Sequence, residues 1–599
     1  MRTFLGKIGA VLTWLRVWTL NLLTLAVLVA LVAALVEQRP ERVEVEGKVL
    51  ILAPEGRIVD QQVYPSEFSF ELPKPGLLQT RDLVSLIRGA AGDERLSAVL
   101  LDFSGASFPG VGTALKIADE LAALRESGKP VIAYSERLTT LPYLMAAQAN
   151  EVYAHPSGVV SISGLGGFRE YTRELTDKLK ITLHNYSQGE YKSAVEGRTR
   201  NDMSAPDRRQ REALYGPLWA ELKSRMAAAR GLEPELLQNM ADRYPAALYT
   251  EAGYDSLAYA EQQGLIDGAR SYPQLRAEMI ERFGKSEQKD RETFPQISAE
   301  AYFAQLKPGS TEHGDAVAVV FLQGQIQEGP MGPGTAGADD LAPLIRRAAE
   351  HPDTRALVLR VNSPGGSIIA SEQIRDEMVA ARGRGLPVYV SMGDVAASGG
   401  VWVSTPADRI YAEPSTLTGS IGVAIVFPTL ENVFDHAGIH FDGVTTSKYA
   451  GWGINQGVDA QLDAIFSRWA GSAYQRFIDH VAAGRDSDQD YIRSIAGGRV
   501  WLAPEALKLG LIDALGGIEQ TIAAAASAAD LKDYRVNYVL QEPTLGMQLV
   551  RQFGAGMGLE ASSSYGRFAS RMNGLMAMLD DISRPTATVL CTLCLVDMP

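Results

Sequence analysis

Two hydrophobic patterns alternate along the chain. Short aliphatic and β-branched runs (Val49–Leu52, Ala98–Leu101, Val317–Leu322, Ala356–Val361) are bounded by Gly, Pro and Asp, and they read as buried strands. Between them, apolar residues recur at helical spacing, as in Ile117-Ala-Asp-Glu-Leu121 and Ile374-Arg-Asp-Glu-Met378. The predicted order is strand, Gly loop, amphipathic helix, buried strand, Gly-containing turn, second helix, and a further strand after Pro130 or Pro387. Strands alternating with helices imply βαβ units and a largely parallel sheet. Such sheets place their ligand-handling loops at the carboxyl ends of the strands.

The order occurs twice. Ala356 to Gly366 (ALVLRVNSPGG) matches Ala98 to Phe108 at a shift of 258, and Ile410-Tyr-Ala-Glu-Pro-Ser415 matches Val152-Tyr-Ala-His-Pro-Ser157 at the same shift. Pro387-Val-Tyr-Val matches Pro130-Val-Ile-Ala, and Gly510-Leu-Ile-Asp513 matches Gly264-Leu-Ile-Asp267. Blocks in order at a nearly constant shift mark an internal duplication. The expected division is 45–300 for the first repeat and 301–540 for the second, with a linker around Ser286 to Asp315. Residues 1–44 precede the repeats, and 541–599 follow as a helix and a polar tail.

One run differs from all others. Val17 to Val36 contains no charged residue and, as a helix, spans about 30 Å, one hydrocarbon core. Arg2, Lys7 and Arg16 precede it, so the positive-inside rule puts the N-terminus in the cytoplasm and the body outside. A cleaved signal peptide is the alternative, but its apolar region would be shorter. The expectation is one uncleaved transmembrane helix.

Bulk composition changes this picture little. The 599 residues are 46% hydrophobic and 21% charged, ordinary for a globular body, and the net charge of -14 argues against a nucleic-acid surface. The two cysteines, Cys591 and Cys594, form a C-x-x-C at the end of the tail, so no disulfide framework holds the core. A metal site would need further ligands that the tail lacks, which leaves a tail disulfide or free thiols.

Three loops carry candidate chemistry. In Asp394-Val-Ala-Ala-Ser398-Gly-Gly400, small neighbours leave the Ser398 hydroxyl open to a substrate backbone, and a helix starting there aims its amides at a developing oxyanion. A small-residue packing turn is the bland alternative. In Asn362-Ser-Pro-Gly-Gly-Ser367, two glycines after a strand can present backbone N–H groups to an anion. The Walker pattern of a nucleotide loop is missing there. In Gln188-Gly-Glu-Tyr-Lys192-Ser-Ala194, the lysine would ordinarily be a solvated charge, but the duplication changes its weight. Lys192 corresponds to Ala450, and Ser398 to Thr140 or Leu141, so each repeat keeps one member of a possible pair.

Together, Tyr191-Lys-Ser-Ala-Val195, Asn362-Ser-Pro-Gly-Gly366, Ala397-Ser-Gly-Gly400 and Thr418-Gly-Ser-Ile-Gly422 resemble the signal peptide peptidase A (protease IV) family in its long, duplicated form. The resemblance covers about residues 45 to 540 and the anchor. It implies an α/β fold of tandem ClpP/crotonase-like repeats and a Ser–Lys dyad. Ser398 would be the nucleophile, Lys192 the general base and Ser420 the residue that orients the lysine. Gly365 or Gly366, with Gly399, would line the oxyanion hole. Val401 stands where the family commonly has an aromatic residue. The resemblance further implies a homotetramer, hydrophobic peptide substrates such as cleaved signal peptides, and no metal or organic cofactor. The site would lie on the periplasmic side of a bacterial inner membrane, with the lipid contacted through residues 17–36.

A lysine acts as a base near neutral pH only where burial lowers its pKa, so Lys192 is expected in a water-poor interface between the repeats. A Ser–His–Asp triad is the chemical rival, but none of His155, His184, His313, His351, His436, His440 and His480 sits in a glycine-rich loop. A crotonase-like acyl-thioester enzyme and a catalytically silent membrane scaffold are the alternative functions. The run Val423 to Phe427 reads equally as the wall of a peptide groove, open to β-augmentation, or as a core strand.

Overall fold

The structure, a computed structural model, describes residues 44–62, 79–287, 292–306, 314–332 and 334–541, with parts of 14–25 and the stretch 588–590. Most of the expected anchor at 17–36 lies outside the described residues, as do the predicted tail helix and both cysteines. Among the described residues, no helix is long and apolar enough to cross a membrane.

The first repeat builds a parallel sheet from β1 (Lys48–Leu52), β2 (Leu96–Leu101), β3 (Val131–Thr139), β4 (Glu151–Ser161), β5 (Gly268–Ala269) and β6 (Gln296–Ser298), in the spatial order β5-β4-β3-β2-β1-β6. The second uses β7 (Ala316–Gln323), β8 (Thr354–Ser363), β9 (Val388–Ala397), β10 (Arg409–Ala412), β11 (Ala514–Leu515) and β12 (Arg535–Tyr538), with these six in the order β11-β10-β9-β8-β7-β12, and it adds Leu417–Gly419 beside the end of β9 and Val500–Leu502 antiparallel to that. The two orders are the same. The register repeats too: Val99 faces Val131 in one sheet, and Leu357 faces Val388 in the other.

Periodicity explains the covering helices. In α1 (Ile368–Gly383), the Ser367 side chain accepts the Ala370 N–H as an N-cap, and Ile374, Met378 and Ala381 are buried along one face. Each large apolar side chain buried in this way contributes about 1.5–3 kcal/mol.

The stretch expected to be a linker contains a strand and a helix. β6 pairs with β1, and the helix Ala299–Leu306 follows it, with Ile297 and Tyr302 buried against the first sheet. Apolar alternation over so few residues is too short to read as an edge strand.

The two repeats share an interface. Val395, Ala397, Leu417 and Val500 of the second join the core of the first. Arg360, on β8, lies buried between Asp60 of the first repeat (3.2 Å) and Glu413 (3.0 Å). Burial opposes its charge, but the two carboxylates outweigh it and raise its pKa. Removing one partner from such a pair costs about 3–5 kcal/mol, because the other charge is left buried alone. Asp394 closes the cluster: it accepts the Thr113 N–H (2.8 Å) and hydroxyl (2.6 Å) from the first repeat.

Candidate active site

Strand β9 delivers Ser398 to the carboxyl edge of the second sheet. The chain then turns into the short helix Gly399–Ser404, with Ser398 just before its first residue and its side chain making no cap bond. Ser398 takes φ 58° and ψ -112°, a conformation that costs a non-glycine residue on the order of 1–3 kcal/mol. Its N–H donates to the Gly419 carbonyl (2.8 Å), which holds the turn.

Lys192 comes from the first repeat. The strand Thr182–Asn185 leaves that repeat and pairs antiparallel with Val426–Thr429 of the second, and Gln188 bridges to Val423. The next residues carry Lys192 into the interface, where its side chain meets Ser398. Nζ lies 2.7 Å from Ser398 Oγ, 2.9 Å from the Ser420 carbonyl oxygen and 3.1 Å from Ser420 Oγ. All three residues are buried, Ser398 completely. No carboxylate shares the hydrogen bonds of this amine. Burial, the one cause acting on it, lowers its pKa well below the usual lysine value.

Nζ donates to Ser398 Oγ and to both Ser420 oxygens; an amine that loses a proton and keeps its two bonds to Ser420 turns its lone pair to the Ser398 hydroxyl. Ser420 therefore contributes its backbone carbonyl as well as its side chain, at φ 53°.

The glycine loop sits beside Ser398. A Cβ on Gly399 would stand 3.1 Å from both Gly365 Cα and Gly366 N. Gly366 admits no side chain at all, because its Cβ would lie 1.8 Å from the Ile326 carbonyl oxygen. In this state the Gly365 N–H donates to Ser363 Oγ (3.1 Å), and Gly399, as the first helical residue, has no intrahelical acceptor for its own N–H. The structure thus gathers Lys192, Ser398, Ser420, Gly365, Gly366 and Gly399 at one place.

Four of the histidines engage elsewhere. His184 bonds Thr429 (2.8 Å), His480 meets Glu372 (3.2 Å), and His155 and His351 accept local backbone N–H groups. Among the described residues, no cluster of three or more His, Cys, Asp or Glu side chains is arranged to hold a metal ion.

The model of peptidase family S49 matches residues 123–280 and 380–532, one segment in each repeat. The chain belongs to peptidase family S49. Similar relatives include Protease 4 of Salmonella typhi (38% identical, over 78% of this chain and 74% of that one) and Protease 4 of Haemophilus influenzae (35%, over 75% and 72%). The chloroplastic serine protease SPPA of Arabidopsis thaliana is 29% identical over 81% of this chain and 70% of its own. A ClpP1 mutant from Listeria monocytogenes overlays with a TM-score of 0.23 at 13% identity, covering 34% of this chain and 94% of that one. The S49 assignment makes the protein a serine protease and sets aside the thioester-enzyme and silent-scaffold alternatives.

Three features of this S49 site carry roles that the sequence did not assign. Gly498 packs its backbone on Lys192, the Gly497 carbonyl accepts the Tyr191 N–H (2.8 Å), and Asp394 binds the first repeat. The doublet Gly497-Gly498 was the available sequence signal for the first two. The run Val423 to Phe427 is a buried inter-repeat segment whose pairing edge is taken by residues 182–188, so that edge is no peptide groove. Its apolar residues are satisfied by the core of the second repeat.

Proposed function

We propose that the protein is a membrane-anchored serine endopeptidase that degrades hydrophobic peptides, cleaved signal peptides foremost, by a Ser398–Lys192 dyad. One observation carries this reading: a buried amine with no carboxylate partner lies 2.7 Å from the Ser398 hydroxyl. Neutral Lys192 takes the hydroxyl proton as Oγ attacks the peptide carbonyl. The oxyanion forms against the Gly399 N–H and that of Gly365 or Gly366. Lysine then gives its proton to the leaving amine. Water, deprotonated by the same lysine, hydrolyses the acyl-enzyme. Ser420 fixes the lysine rotamer and, by accepting both N–H groups, leaves the lone pair aimed at Ser398.

The resemblance to signal peptide peptidase A supports the substrate class, a ClpP/crotonase type of repeat and a homotetramer. The uncharged run 17–36 supports a single anchor in a bacterial inner membrane with the body on the periplasmic side. Cleavage of a hydrophobic peptide by the full chain in detergent tests the dyad. Ser398→Ala and Lys192→Ala should each lower kcat by at least about 10³-fold. A serine-reactive phosphonate should label wild type at Ser398 and fail on folded Lys192→Ala. Equal labelling of the two would sink the assignment of Lys192 as base.

A further inference from the structure

Lys192 opens a turn that is too short to hold itself. Ser193–Val195 is a single 3₁₀ turn, Lys192 lies just before it with no side-chain cap bond, and the helix that follows, Glu196–Thr199, is one turn long. Helical pieces of this length are not stable on their own hydrogen bonds. Upstream of the lysine, the second repeat restrains the backbone, where the Gly497 carbonyl accepts the Tyr191 N–H (2.8 Å). Downstream, the restraint is a side chain from the irregular stretch after β4. The Arg169 guanidinium donates from Nη1 to the Ser193 carbonyl (2.8 Å) and from Nη2 to the Ala194 carbonyl (2.7 Å). Thr172, three residues on, gives its N–H to the Gly197 carbonyl (2.7 Å).

Arg169 fits closely where it lies. A Cβ on Gly197 would stand 3.0 Å from Arg169 Nε and 2.9 Å from the Glu170 carbonyl oxygen, so the bare glycine lets the two segments close on each other. The guanidinium carbon is 5.9 Å from the centre of the Tyr171 ring. Asp207, the carboxylate whose charge bears most on Arg169, bonds Arg211 (3.1 Å). Arg169 thus directs a planar, charged fork at two neighbouring carbonyls and fixes both together. Those carbonyls belong to the two residues after Lys192, whose side chain must bring Nζ to 2.7 Å from Ser398. The other charges packed round the segment are Glu190 with Arg209 (3.8 Å), buried Glu196, and Arg499 of the second repeat, 5.4 Å from the Tyr191 ring centre. The amine itself bonds only Ser398 and Ser420 among the described residues, so its basicity depends on the exclusion of water.

We infer that Arg169 is a positioning residue for the reaction: its grip on the Ser193 and Ala194 carbonyls aims Lys192 at Ser398 and keeps water from the amine. This rests on the dyad reading above. Without the fork, the turn loosens, Nζ leaves the serine, and water reaches the amine, which then holds its proton to higher pH.

Arg169→Met removes both bonds and keeps an unbranched stem. Steady-state cleavage of a hydrophobic peptide by the full chain in detergent, across a pH series and with thermal melting as the folding control, reads the effect. Expected are a kcat lower by about 10–10²-fold with KM within about 3-fold. The rise of kcat/KM with pH should also move up by about 0.5–1 pH unit. An arginine that served folding alone would lower the melting temperature and leave that rise in place. Such a result, or a folded Arg169→Met with kcat within about 3-fold of wild type, overturns the inference. The dyad still stands in either case if Lys192→Ala is inactive. Should Arg169→Met not fold, Arg169→Lys, which offers one donor head in place of the fork, is read by the same criteria. If Lys192→Ala cuts as wild type does, the dyad reading fails and this inference falls with it.

Discussion

Replacing Gly498 with alanine moves the proposed base, Lys192, without touching it chemically. The added Cβ would lie 2.6 Å from Lys192 N and 2.8 Å from Lys192 Cα, where ordinary contact begins at 3.4 Å. Something must therefore give by roughly 0.8 Å, the gap between clash and contact. Gly498 cannot easily retreat: its N–H donates to the Ile421 carbonyl (2.8 Å), and a Cβ on Gly422 would already meet its Cα at 3.1 Å. The lysine loop must yield instead, which pulls Nζ from its 2.7 Å contact with Ser398. Misplacing a reacting group by about 1 Å costs on the order of 10²-fold. The backbone adds its own cost, since φ is +82° there and alanine pays about 1–2 kcal/mol in that region. Expected for Gly498→Ala are a kcat lower by about 10²-fold, KM within about 3-fold, and a melting temperature lower by about 2–4 °C. Steady-state kinetics on a hydrophobic peptide, with thermal melting as the folding control, read all three. A kcat within about 3-fold of wild type, in a variant whose melting temperature has fallen, would show that the loop does not position the amine.

Two further outcomes follow from buried titratable groups. Lys192→Met should abolish turnover yet raise the melting temperature at neutral pH. The lysine pKa is depressed on folding, so the unfolded chain binds more protons and wild type gains stability as pH rises towards the free-lysine value of 10.5; the advantage of the variant should shrink over that range. Asp394 behaves oppositely: burial first, then the Glu413 charge, push its pKa up from 3.8 to about 6. Its native form holds the proton more tightly, so its contribution is full below pH 3.8 and lost as pH rises through about 6. Relative to Asp394→Asn, wild type should gain at most about 3 kcal/mol when denaturant melts are run from pH 7 down to pH 4. A constant difference across that range would refute the burial argument.

Local rules exposed much of this molecule in its sequence. The strands around Val99, Val131, Leu357 and Val388 are short apolar runs between turn residues, and the matching letters announced two copies of one sheet. The meeting of Lys192 with Ser398 was legible because each copy keeps one member of the pair. What escaped depends on contacts distant in sequence. Gly498 lies 306 positions from the lysine it supports, and Thr113 lies 281 from Asp394. The run Val423 to Phe427 was undecidable, because a groove wall and a core strand ask for the same residues. Only the pairing with 182–188 separates them.

The same comparison explains why one site serves two repeats. In the first repeat, Thr140, one of the two residues that align with Ser398, donates its hydroxyl to the Ser163 carbonyl (2.9 Å) and accepts the Ser163 N–H (3.1 Å). That oxygen is tied to backbone and meets no amine. In the second repeat, the loop equivalent to that of Lys192 runs Ser447-Lys448-Tyr449-Ala450. Its lysine is exposed and bonds Asp459 (2.8 Å), which raises its pKa rather than lowering it. The difference between the two lysines is location. A base of this kind needs an amine stripped of water and of carboxylates, and the surface of a lone repeat supplies both. The interface between repeats supplies neither at Lys192, because the strand 182–188 is stitched to 423–429 and drags the lysine under the second sheet. On the proposed dyad, the strand pairing between repeats is what makes an ordinary lysine a base, so duplication is part of the chemistry and not only of the architecture.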